Sequence, residues 1–175
     1  GMEAMAGEIQ RLRPAEILIS EQFPFETLLT GWQGIHQRPV WDFDMDTCQR
    51  LLTQHFQTKD LSGFDCAGLT VAVEAAGCLL QYARDTQQNQ LTHIRNLHRE
   101  HISDGVILDA ASRKNLEIDV NLHGESKHTL AWVMDTTATA MGSRLLRRWL
   151  NRPLSHQPAV LARQSAVTEL LSNFH

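Results

Sequence analysis

The chain holds three cysteines in 175 residues, Cys48, Cys66 and Cys78, odd in number and with no C-x-x-C pair, so neither a disulfide framework nor a zinc knuckle is built into it. That usage points to a reducing cytosol. Long apolar runs are missing too: nothing approaches the roughly 20 residues a membrane span needs, and the start carries Glu3 and Glu8 rather than a signal-peptide pattern. No Gly-x-x-x-x-Gly-Lys-Ser/Thr loop occurs, which excludes a triphosphate cradle of that type. Acid is absent from Thr136 to Thr168, while Arg144, Arg147, Arg148, Arg152 and Arg163 all fall there. The net charge is nevertheless −4, which argues against broad phosphate binding.

What is present is an ordinary globular composition, 42% hydrophobic and 21% charged, in a chain long enough for one or two small domains with a real core. A helix is predicted over Glu3–Leu12, ended by Pro14, followed by a short strand at Ile17-Leu18-Ile19. Gly31, Gly34 and Pro39 break the next stretch. Asp44 or Asp46 can cap a helix reaching Phe56 with Met45, Leu52 and Phe56 inward. From Leu69 to Gln87 a buried helical stripe recurs at Leu69, Val73, Ala76, Leu80 and Ala83. Val106-Ile107-Leu108 reads as a strand or extended lead-in, Asp109 as a helix cap, and Gly124 as a loop. The Ser103-Asp104-Gly105 turn signal marks a domain boundary near residue 104, and a last helix after Pro158 places Val160, Val167 and Leu171 on one face.

The most informative stretch runs from Asp135 through Leu150 to Arg152-Pro153-Leu154. It passes from a β-branched lead-in through Gly142-Ser143 to a helix with Arg144, Arg147 and Arg148 in a basic stripe opposite Leu145 and Trp149, stopped by the proline. Its Asp-x-Thr-x-Thr-x-Met-Gly-x-Arg-Leu-Leu pattern closely resembles the start of the core domain of the MutS mismatch-repair family. Asp109-Ala110-Ala111-Ser112-Arg113-Lys114-Asn115-Leu116-Glu117-Ile118 resembles that family's Asp-Ala-Ala-Thr element, with serine for the usual threonine. Leu79 to Gln87 resembles the end of its connector, as do Pro14 to Leu18, Arg38-Pro39 and Trp41 more weakly.

The resemblance covers nearly the whole chain in order. It implies a mainly α fold with a small α/β portion: an incomplete RNase H-like connector domain over residues 1–104, then the first helices of an all-α core domain over residues 105–175. Gly1 reads as a tag remnant and the whole as an excised fragment, since the family's ATPase and mismatch-reading motifs do not occur in it. The intact family protein is a cytoplasmic bacterial homodimer that binds mismatched duplex DNA with ATP and magnesium and recruits MutL. The resemblance therefore implies a structural segment, not an enzyme, holding no cofactor of its own and linking the DNA-reading end to the ATPase. A MutL-docking surface is expected at Gln49, Arg50, Thr53 and Gln54.

His93, His98 and His101 are the closest cluster among nine histidines, the last two one turn apart if helical, but no carboxylate is in step, and solvent-facing histidines are the better reading. Asp42, Asp44 and Asp46 alternate, yet the glycine and distal glutamate of a calcium loop are missing, which favours acids at a helix start. Cys48 and His55 have no orienting third group, and Gly142-Ser143 is no nucleophile elbow, so no catalytic residue is assigned. Arg144, Arg147 and Arg148 are either phosphate contacts or interdomain ion pairs, the second favoured because three charges neutralise few phosphates. Met141, Leu145 and Trp149 are expected to anchor a core. The rival reading is an independent helical nucleic-acid-binding module using Arg144 to Arg163.

Overall fold

Pro14 cannot continue a helix, and the first one stops just ahead of it: α1 spans Met2–Leu12, with Arg13 at φ 44° and its N–H on the Ile9 carbonyl. In this computed structural model, residues 2–66, 68–101 and 105–173 are described. Ser103 and Asp104, on which the boundary signal rests, lie outside them. The chain divides into two units, residues 14–99 and residues 1–13 with 100–175.

In the first unit, β1 (Ile17–Ser20) pairs in parallel with β2 (Ile35–Arg38), Ile17 opposite Ile35 and Ser20 opposite Arg38. The crossover carries a 3-10 turn at Glu26–Leu29, whose Leu29 is buried. Gly34 enters β2 at φ 75°, and a Cβ there would lie 2.3 Å from the Ala15 carbonyl oxygen, so only glycine lets the strands begin together. A second 3-10 turn, Val40–Phe43, leads into α2 (Met45–Phe56). The Asp44 carboxylate caps α2 by accepting the Thr47 N–H at 2.9 Å. Asp42, Asp44 and Asp46 therefore occupy a turn and a helix start, not one side of an extended segment.

The third helix, α3 (Thr70–Gln87), packs along α2. Cys48, Leu52, Leu61, Cys66, Val73, Leu80 and Leu91 form the core between and around them, with Met45, Phe56, Ala76 and Ala83 against it. The helices meet at Gly77, where a Cβ would come within 2.4 Å of the Cys48 Cβ. Past α3 the chain holds no helix as far as His101, so His98 and His101 are not one helical turn apart. The polar run Gln87-Gln88-Asn89-Gln90 ends the stripe of α3, and beyond it Leu91 enters the core and Leu97 packs against it without forming a helix.

In the other unit, Gly105 bridges Leu154 and the Val106 N–H reaches the Pro153 carbonyl at 2.8 Å, so residues 106–108 are an extended lead-in. Asp109 then caps α4 (Ala110–Asn115) through the Ser112 N–H at 2.6 Å. A turn at Gly124 and the Thr129 cap introduce α5 (Leu130–Met134), followed by α6 (Ala140–Asn151) and α7 (Gln157–Ser172). Among the described residues Gly105, Ile118, Thr129, Ala131 and Asn151 are the buried ones here. The anchor expectation needs correcting: Met141 is 77% and Leu145 47% exposed, and Trp149 is half-buried. Val167 and Leu171 of α7 are likewise exposed, and only Val160 of that trio is half-buried. The reason is register, because α6 turns Ser143, Leu146, Arg147, Leu150 and Asn151 inward instead.

Candidate functional site

The inward face of α6 is built on polar contacts. Thr139 caps the helix, accepting the Gly142 N–H at 3.0 Å. Just upstream, the Asp135 carboxylate accepts hydrogen bonds from the Ser143 and Thr137 hydroxyls, and Arg147 lies 3.8 Å away. The Ser143 hydroxyl above all, then Thr137, holds the Asp135 carboxyl below the usual carboxylate range. The leading acid, the two threonines and the serine of the signature stretch thus become one knot that fixes where α6 begins.

A second knot closes the far end. Asn151 is 8% exposed; its side-chain oxygen accepts from Arg113 of α4 at 2.6 Å, and its amide donates to Asp119 at 3.0 Å and to the Arg147 carbonyl at 3.1 Å. Burial pushes the Arg113 guanidinium down from its ordinary value, with Asp119 opposing. Glu100 gathers a third group: Arg11 at 3.1 Å, Arg148 at 3.3 Å, and Arg152. A cleft of about 460 Å³ lies beside these groups, lined by Glu3, Glu8, Arg11, Arg113 and Arg152 among others. Its arginines are committed to Glu8, Glu100 and Asn151.

Of the arginines expected as phosphate or interdomain contacts, the half-buried Arg147 is paired with Asp135, while Arg144 and Arg148 share an exposed face of α6, Arg148 paired there with Glu100. Trp149 carries the Arg163 guanidinium of α7 4.3 Å from its ring centre. On α2, Arg50 and Gln54 are exposed, whereas Gln49 and Thr53 are half-buried, the Thr53 hydroxyl donating to the Gln49 and Arg50 carbonyls at 3.0 Å. Among the described residues no group of three or more His, Cys, Asp or Glu side chains could hold a metal ion, and no helix is long and apolar enough to cross a membrane.

Sequence reading had not singled out Asn151, Glu100 or Arg113. The signal for Asn151 was available: Ser143, Arg147 and Asn151 recur every fourth residue, the spacing of one helix face. Glu100 and Arg113 come from distant segments and leave no such trace.

Chemically, this arrangement joins helices through hydrogen bonds and ion pairs. The comparison with known families agrees with the order of the parts. The family model of MutS domain II matches residues 2–95, and that of MutS domain III matches residues 111–175. The signature stretch and both of its polar knots fall in the second match, and with more than half the chain covered by the first, the chain belongs to the MutS mismatch-repair family.

Proposed function

We propose that this chain is the mechanical link of a MutS-type mismatch sensor. In the intact assembly, a cytoplasmic bacterial homodimer, it would connect the end that reads mismatched duplex DNA to the ATPase and offer MutL a docking surface on α2 around Arg50 and Gln54. ATP and magnesium belong to the ATPase in this reading; the chain itself is a scaffold and no enzyme. One observation carries it: Arg147, on the inward face of α6, is spent on Asp135, and the exposed Arg148 is paired with Glu100, so the signature helix is tied to its neighbours. Stiff helices held by discrete polar knots are what transmission between distant sites requires.

The rival module reading has the exposed Arg144 and Arg148 in its favour, but two arginines, one of them already paired with Glu100, neutralise too few phosphates for useful affinity at physiological salt. Fluorescence anisotropy with mismatched and matched duplexes separates the two. The scaffold reading expects weak binding without mismatch preference, unaltered by Arg144→Ala with Arg147→Ala. Tight binding whose salt dependence falls by about one unit of slope per arginine removed would overturn it. Calorimetry should likewise register no ATP binding, and micromolar affinity would defeat the scaffold assignment.

A further inference from the structure

The unit of residues 14–99 carries an open cleft of about 1000 Å³ where the 3-10 turn before α2 faces α3. Trp41 lines it with 71% of its surface exposed, beside Val40 at 42% and Leu51. Large apolar side chains left in water next to one another mark an interaction surface. Its charge is lopsided. Asp42, Asp44, Glu74 and Asp85 line the cleft against one cation, Arg38, which is already held by Asp42 at 2.7 Å and Asp85 at 3.7 Å. Glu74 is half-buried, and among the described residues its carboxylate has no hydrogen-bonding or ion-pair partner.

We propose that this cleft docks a basic, apolar segment of a protein partner, with an arginine or lysine laid over Trp41 and its charge received by Glu74. An exposed indole attracts a cation through its π face, and a half-buried free carboxylate in the same cleft fixes the sign of the ligand. Polyanions are excluded by the same acids. Leu51 and Cys48 face the cleft, whereas Arg50 and Gln54 lie on the opposite side of α2, so this surface is distinct from the MutL face proposed above and does not depend on it.

The test titrates the 175-residue chain into a fluorescein-labelled peptide of alternating arginine and leucine, with a glutamate–leucine peptide as counterpart. The arginine peptide should bind, and Trp41→Ala and Glu74→Gln should each weaken it about tenfold, while Arg50→Ala leaves it unchanged. Circular dichroism confirms that the variants stay folded. Equal binding of the two peptides, or arginine-peptide binding indifferent to both cleft substitutions, overturns the proposal. So does a chain that ignores the peptide but forms a dimer abolished by Trp41→Ala, because the occupant would then be a second copy.

Discussion

Asp135 shows how much one side chain can organise. Its carboxyl is 15% exposed and is held below the usual carboxylate value of 3.8 by the hydroxyls of Ser143 and Thr137. A folded-state value below the unfolded one gives stability that is complete above about pH 4 and lost as pH falls through the folded value. Thermal melts between pH 7 and pH 3 should therefore show a loss below about pH 4 that is smaller in Asp135→Asn, a variant that starts less stable at neutral pH. Identical pH profiles for both would remove Asp135 from the account. Trp149 poses the complementary case. A fully buried aromatic deleted to alanine costs about 3 to 5 kcal/mol, but this ring is half-buried with Met141 and Leu145 turned away, so Trp149→Ala should cost about 1 to 2 kcal/mol, including its contact with Arg163. Urea unfolding measures it, and a loss above 3 kcal/mol would restore the ring to a core.

Among the elements, the α2–α3 pair depends on one absent methyl group. Alanine is the better helix former by about 1 kcal/mol, yet Gly77→Ala would drive a Cβ into the Cys48 Cβ and Sγ, at 2.4 and 2.6 Å. Overpacking of that kind costs about 1 to 3 kcal/mol and here has backbone behind it, so we expect a net destabilisation near the upper end of that range. Cys48→Ala in the same chain should recover only part of the loss, because the Cβ remains. An unfolding midpoint raised by Gly77→Ala would mean that the helices part without cost. The α6–α4 connection has another character: it is made by Asn151, Arg113 and Asp119, polar groups whose bonds specify one register where an apolar seam would tolerate several.

For the molecule as a whole, the thiols report on folding. Cys48, Cys66 and Cys78 are all buried and free. Burial, with Cys78 adding to it, pushes the Cys48 thiol up to about 11, and burial raises Cys78 as well. Iodoacetamide at pH 8 should leave Cys48 and Cys78 unmodified in the native chain and alkylate all three thiols in urea, as read by mass spectrometry. Rapid native labelling of Cys48 would show that α2 and α3 open readily. The other unit buries little by comparison. Leu161, Leu170 and Leu171 of α7 and Trp132, Val133 and Met134 of α5 stand exposed, so its stability rests more on its hydrogen-bond knots than on apolar area.

Local signals decided the elements. Pro14, the caps Asp44 and Asp109, the stripe Leu69 to Ala83 and the glycine at 124 act within a turn or two of chain, and each stands where its residue type places it. The family, too, was legible, because its signature is a contiguous run from Asp135 to Leu146. Which face of α6 turns inward was not. The basic and apolar stripes offered two orientations, and the choice fell to Asp119 and Arg113, which approach Asn151 from 32 and 38 residues away along the chain. Periodicity says that a helix has faces; only the groups brought from elsewhere by tertiary folding determine which face they satisfy.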